Sequence, residues 1–296
     1  MIHAVLGAGG VGGFLAGALA RDGRPVTLIL RAETLAAYPA KIRVSSRVLG
    51  DFEAPVTLAT ELNQPVDALW ITVKATQLHA AISATPANRI GDALVVPLMN
   101  GVDHMTLLRS RYDPEHVVGG TIRVESERVA PGRIRQVSPF AAVRLAATGP
   151  AVPRVDELAG ELRSAGLDCE VVEDETSLLW GKLVFLAPLA LTTSAQGEPL
   201  GGVRAAPEWR VRLEACLDEA CAVAEVVGAR LDRTAILHLL LAAPDEMRSS
   251  MQKDIAAGRE PELDAIGGPI VRFGRAHGLN VSTTEELMEM IAAARS

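Results

Sequence analysis

The sequence predicts a parallel α/β domain over residues 1–173 followed by an all-helical domain over residues 174–296. Three observations predict it. Apolar runs of strand length at 2–6, 26–30, 68–73 and 93–99 are separated by stretches long enough for crossover helices, the pattern of a sheet buried on both faces. Gly7-Ala8-Gly9-Gly10-Val11-Gly12 falls where the first run gives way to an alanine- and leucine-rich helix. Beyond the acidic run Glu173-Asp174-Glu175 no strand pattern returns, and Pro207, Gly228, Pro244, Pro261 and Gly278 punctuate helical stretches near 176–196, 207–228, 232–242, 246–257, 262–277 and 283–294.

Taken in order, the first strand ends in G-x-G-x-x-G. The first glycine permits a tight turn, the second lets the backbone approach a pyrophosphate, and the third lets the helix pack close to the strand. Amides at the start of that helix carry partial positive charge and suit an anion. The first domain therefore reads as Rossmann-type, with Gly7, Ala8, Gly9, Gly10, Val11 and Gly12 as the dinucleotide cradle. The second strand ends at Arg31, 24 positions after Gly7, where an acid would hold the ribose 2′-hydroxyl of NAD. An arginine there suits a 2′-phosphate, so the expected cofactor is NADPH/NADP; the nearest acid is Glu33. The next two strands deliver Lys74 and Asn100, which should join Arg31 on the edge that carries the glycine loop.

Residues 41–58 read as a hairpin around Gly50-Asp51. Extended pieces at 117–124, 134–137 and 141–145, broken by Pro131-Gly132, read as antiparallel additions to the sheet edge. A helix at 155–164 and a short strand at 169–172 complete the domain.

Composition narrows the function classes. Net charge is −7 and aromatics are 3%, a poor match to nucleic acid or an anionic membrane surface. No run approaches about 20 uninterrupted apolar residues, and the N-terminus lacks a basic n-region and cleavage site. Cys169, Cys216 and Cys221 form neither a metal spacing nor a disulfide framework, and the six histidines are scattered. The expectation is a cytoplasmic protein with no metal, no nucleic-acid partner and no membrane partner. The alanine-rich helices could pack within one chain or across a homodimer.

Two places in the helical half hold charge among apolar residues. Lys182 lies in Leu178-Leu179-Trp180-Gly181-Lys182-Leu183-Val184-Phe185-Leu186. Burial would lower its pKa, the tuning that a lysine general acid needs near neutral pH; a lysine snorkelling to the surface fits the same string. Glu262 opens Glu262-Leu263-Asp264-Ala265-Ile266-Gly267-Gly268-Pro269 after Pro261, so it lies at the first turn of a helix, as a dipole acid or a functional one. The Gly-Gly-Pro run marks a kink or a close approach, and Ser249-Ser250-Met251 suits an N-cap.

These blocks together resemble the ketopantoate reductase (2-dehydropantoate 2-reductase) family. The resemblance runs over nearly the whole chain through Gly7 to Gly12, Leu30-Arg31, Val73-Lys74-Ala75, Asn100-Gly101, Trp180-Gly181-Lys182-Leu183, Ser249-Ser250-Met251 and Glu262-Leu263-Asp264. It implies an NADPH-dependent reductase of a small carbonyl substrate. By resemblance, Lys182 donates the proton and Glu262 orders the lysine, substrate or cofactor ribose. Asn100 lies near nicotinamide and substrate, Ser250 contacts substrate, and Arg31 with Lys74 holds the phosphate end of NADP. The family's lysine helix commonly carries asparagines one and two turns after the lysine; this chain has Leu186 and Ala190 there. Replacing two amides by hydrocarbon implies a more apolar substrate-binding pocket. The leading expectation is reduction of a 2-oxo acid, 2-dehydropantoate being the first named substrate. The alternatives are the same chemistry on a less polar ketone or imine, and a non-catalytic NADP-binding regulator.

Overall fold

In the computed structural model, which describes residues 1–295, contacts divide the chain into two compact units. One comprises Met1–Met99 and His104–Leu178; the other comprises Asn100–Asp103 and the chain from Leu179 onward.

The first unit opens with β1 (His3–Leu6), α1 (Gly10–Arg21), β2 (Val26–Ile29) and the single turn α2 (Ala32–Leu35). Then come β3 (Lys41–Ser46), β4 (Gly50–Pro55), β5 (Thr57–Ala59), β6 (Ala68–Ile71), α3 (Ala75–Ala81), α4 (Ala87–Ile90), β7 (Leu94–Pro97) and α5 (His104–Arg111). β8 (Gly119–Arg123), β9 (Ser126–Ala130), β10 (Arg133–Gln136), β11 (Ala142–Ala146), α6 (Val152–Ser164) and β12 (Asp168–Val172) complete it.

The central sheet is parallel throughout, in the order β5-β2-β1-β6-β7. Every residue of β1, β6 and β7 is buried, which is why these strands read as continuous apolar runs. Strand order reverses across β1 and β6, and the C-terminal ends at such a switch point form the crevice where α/β sheets take ligands.

α1 needs cover on both sides, because every residue from Gly12 to Ala20 is buried. The second cover is a separate sheet, β4-β3-β10-β9. Its strands alternate exposed and buried residues along β3 and β10, presenting one apolar face. Gly13 and Gly17 flatten the facing stripe of α1: a Cβ on Gly13 would stand 2.4 Å from Ile134 Cδ1, and one on Gly17 2.8 Å from Val44 Cγ2. This corrects the expectation that all later strands extend the main sheet. β8 and β11 do pair antiparallel, with β12 parallel to β11, and this group joins β7 through a parallel bridge between Val95 and Val117. β9 and β10 instead leave to cover α1, with β10 parallel to β3. The β3–β4 hairpin turns at residues 47–49, and Gly50 (φ 74°) pairs with Ser46 at the start of the return strand.

The second unit is helical: α7 (Glu175–Gln196), α8 (Leu200–Ala205), α9 (Pro207–Val226), α10 (Arg233–Ala242), α11 (Ser250–Ala256), α12 (Leu263–Ala276) and α13 (Ser282–Ala293). α8 was not expected, and α11 begins at Ser250 rather than near 246. Leu183, Val184, Ala187 and Leu191 of α7 pack in one cluster with Leu213, Leu217, Val223, Ile266, Ile270 and Leu287. Among the described residues, α7 is the one helix long and apolar enough to cross a membrane by length and composition, although Lys182 interrupts its apolar run. Most of that apolar stretch is buried within the protein, which makes it a core helix. The Gly267-Gly268 pair has two separate causes. A Cβ on Gly267 would meet Met288 Sδ of α13 at 2.4 Å, and one on Gly268 would meet Asp264 Oδ1 at 2.4 Å and the Arg272 guanidinium at 2.6 Å.

Candidate active site

In the first unit, the three glycines of the loop after β1 are required for three reasons. Gly7 adopts φ 106°, a conformation that L side chains rarely take, with Val73 Cγ1 only 2.8 Å from where its Cβ would be. At Gly12 a Cβ would stand 2.0 Å from the Gly7 carbonyl oxygen and 2.3 Å from Thr72 Oγ1. Gly9 is the N-cap of α1, is exposed, and has no atom within 4 Å of a Cβ position. The first amides of α1 have no acceptor within the helix, so an anion can approach them over Gly9 without meeting a side chain. Thr72 locks the turn from beneath: its hydroxyl lies 3.0 Å from the Leu6 carbonyl and 2.9 Å from that of Gly7. The sequence reading missed Thr72, whose only signal was a polar residue within the otherwise apolar run 68–73.

Arg31 and Lys74 follow the C-terminal ends of β2 and β6, the two strands that flank β1, and serve as N-cap residues of α2 and α3. Arg31 is exposed and pairs with Glu33 at 3.3 Å, while Lys74 is half-buried. The crevice edge thus carries a glycine loop, an open helix terminus and two cations, a donor set that fits the phosphates of a dinucleotide.

In the second unit, Lys182 lies in the second turn of α7 and is half-buried. Loss of water around the ammonium pushes its pKa down to about 8, and the Glu262 carboxylate pulls in the opposite direction. Glu262 is buried at the N-cap position of α12, but its side chain does not cap that helix. It accepts instead from Asn100 Nδ2 at 3.0 Å. Asn100 follows β7 in sequence, yet its segment is grouped by contacts with the helices. Two further ties explain this. Gly101 (φ 81°) packs against the Ala265 carbonyl oxygen, 2.3 Å from a Cβ position, and Arg272 ion-pairs with both Asp103 and Asp264. Asn100, Lys182 and Glu262 therefore form one charged and polar group from three chain segments.

The remaining expected site residues behave differently. Leu186 is half-buried one turn after Lys182. Ala190 is fully buried in the apolar cluster of this unit, which corrects its expected place in a substrate pocket: it packs core and offers no surface. Ser249, not Ser250, is the N-cap of α11, accepting from the Gln252 amide at 3.0 Å, and Ser250 is left exposed.

Comparison with known proteins identifies the family and the fold. The family model described as ketopantoate reductase PanE/ApbA matches residues 3–148, and its C-terminal counterpart matches residues 176–295. A 2-dehydropantoate 2-reductase of Mycobacterium tuberculosis is 34% identical over 247 residues, covering 80% of this chain and 79% of its own length. The crystal structure of a PanE/ApbA family ketopantoate reductase from Ralstonia eutropha superposes with a TM-score of 0.88 at 26% identity, covering 100% of this chain and 98% of that one. D-mandelate dehydrogenase, solved with NADH and anilino(oxo)acetate, shares the fold with a TM-score of 0.89 at 21% identity, covering 100% and 98%. The glycine-loop α/β unit, the helical unit and these likenesses lead to one conclusion: the chain belongs to the ketopantoate reductase family and is a nicotinamide-dependent oxidoreductase.

Proposed function

We propose that this protein reduces the ketone of a 2-oxo acid with NADPH, with Lys182 as the general acid. The observation that carries the reading is the half-buried ammonium brought to about 8 and paired electrostatically with Glu262. A group that titrates near the working pH can both stabilise a developing alkoxide and surrender a proton to it. Glu262 keeps Lys182 charged, and Asn100 fixes the Glu262 carboxylate through the 3.0 Å bond. The glycine loop holds the dinucleotide, with Lys74 beside it and Arg31 on the 2′-phosphate. When bound, the cofactor supplies hydride to the carbonyl carbon. Ser250 is assigned to the substrate by resemblance to the family.

Two substrate readings differ at one residue. 2-Dehydropantoate follows from the family and makes pantoate the product. A 2-oxo acid with a less polar substituent follows from Leu186, a hydrocarbon side chain on the turn after the lysine. D-mandelate dehydrogenase supports that second reading on the same fold, because its bound anilino(oxo)acetate sets an aromatic ring, through an amide nitrogen, beside an oxo-carboxylate group of the kind that a 2-oxo acid carries. NADPH oxidation measured across 2-dehydropantoate and aryl or branched 2-oxo acids decides between them. A kcat/KM of roughly 10⁴ M⁻¹s⁻¹ or more on 2-dehydropantoate supports the first and refutes the second. No turnover of any 2-oxo acid refutes both.

A further inference from the structure

β9 lies against the start of α1. The Ser126 carbonyl oxygen touches Gly10, where a Cβ would come within 2.1 Å. Across the β9–β10 pair, Arg128 stands opposite Ile134 and Ser126 opposite Gln136. Ile134 packs on Gly13 of α1, and Gln136 is buried. The side of β9 that carries Ser126 and Arg128 is therefore the side facing α1, while Glu127 points the other way and pairs with Arg135.

Arg128 reaches the glycine loop. Its guanidinium donates to the Ala8 carbonyl at 3.4 Å, a long bond that uses one of five donors. Three other arginines of this unit's strands are matched to carboxylates, Arg43 to Glu53, Arg135 to Glu127 and Arg144 to Glu170, whereas Arg123, over the Phe140 ring, and Arg133 form no ion pair among the described residues. Arg128 makes no ion pair among the described residues. The Ser126 hydroxyl beside it is buried and has no hydrogen-bond partner. A loosely held guanidinium, an orphaned hydroxyl and the unsatisfied first amides of α1 thus surround the same few atoms of the loop.

We propose that β9 is the second wall of the diphosphate site, with Arg128 binding the cofactor's diphosphate alongside the glycine-loop amides. The proposal rests on the dinucleotide reading above. Arg128 acts on the part common to NADPH and NADH, because it contacts the loop at α1 and not the end of β2, where a ribose 2′-substituent lies.

The test is a fluorescence titration of NADPH and of NADH, at several salt concentrations, into wild type, Arg128→Ala, Arg128→Lys and Arg135→Ala. Arg128→Ala is expected to weaken both cofactors by about tenfold or more, and to flatten the salt dependence of both dissociation constants. Arg128→Lys retains most of the affinity, and Arg135→Ala, on the opposite face of the sheet, changes nothing. Arg128→Gln carries the same expectation should the alanine variant fail to unfold cooperatively. Wild-type affinity and salt slope in Arg128→Ala and Arg128→Gln overturn the proposal, as does loss confined to NADPH, which would place Arg128 at the 2′-phosphate. A wild-type protein that binds neither cofactor refutes the dinucleotide reading and the second wall with it.

Discussion

Lys182 occupies a place where an ammonium is costly. Desolvation lowers its pKa from 10.5 to about 8, even with the Glu262 carboxylate acting to raise it. That shift and its opposing carboxylate bear on catalysis and on folding. As a general acid Lys182 must be protonated, so kcat/KM for reduction falls as pH rises through about 8. Removing the carboxylate removes what opposes the desolvation, so in Glu262→Gln the same limb moves to lower pH; a pH–rate profile reads both. The folded pKa lies below the unfolded one, so the unfolded chain binds this proton more readily and the charged lysine opposes folding at neutral pH. Lys182→Met is therefore expected to raise the melting temperature, by roughly 2–4 °C per kcal/mol recovered, while abolishing turnover. At Leu186 the substrate readings part: Leu186→Asn should raise kcat/KM on 2-dehydropantoate at least about tenfold and lower it on aryl 2-oxo acids. Unchanged ratios would separate Leu186 from specificity.

The elements show which glycines serve folding and which serve binding. Gly12→Ala forces a Cβ to within 2.0 Å of the Gly7 carbonyl oxygen, so thermal denaturation should show a large loss of stability. Gly9→Ala meets nothing within 4 Å, so it should leave stability nearly unchanged and weaken dinucleotide binding by obstructing the open helix terminus. The motif was legible because its three glycines occupy a strand-to-helix turn that few other structures require. The second sheet over α1 was not. Alternation in residues 41–46 and 133–136 marks one apolar face on each strand, but nothing local says what that face covers. The Gly267-Gly268 pair announced a close approach, while its partners, Met288 of α13 and the Asp264–Arg272 pair along α12, had to be seen.

At the scale of the whole chain, the change from alternating strands and helices to helices alone was readable from composition and breakers. The placement of residues 100–103 was not, because it depends on contacts between distant segments: Asn100 with Glu262, and Asp103 with Arg272. Lys182 and Glu262 were singled out because each stands as a charge in apolar surroundings. Ala190 misled because helical spacing gives a direction but not a burial depth, and this turn of α7 faces core. Lys182 is the proposed proton donor in an NADPH-dependent 2-oxo acid reduction. The most direct measurement is steady-state NADPH oxidation by wild type and Lys182→Ala with the best 2-oxo acid substrate, alongside NADPH titration of both proteins. For that role, NADPH affinity is expected to be unchanged and kcat lowered about 10²-fold or more in Lys182→Ala. Turnover by Lys182→Ala within a few fold of wild type would contradict it.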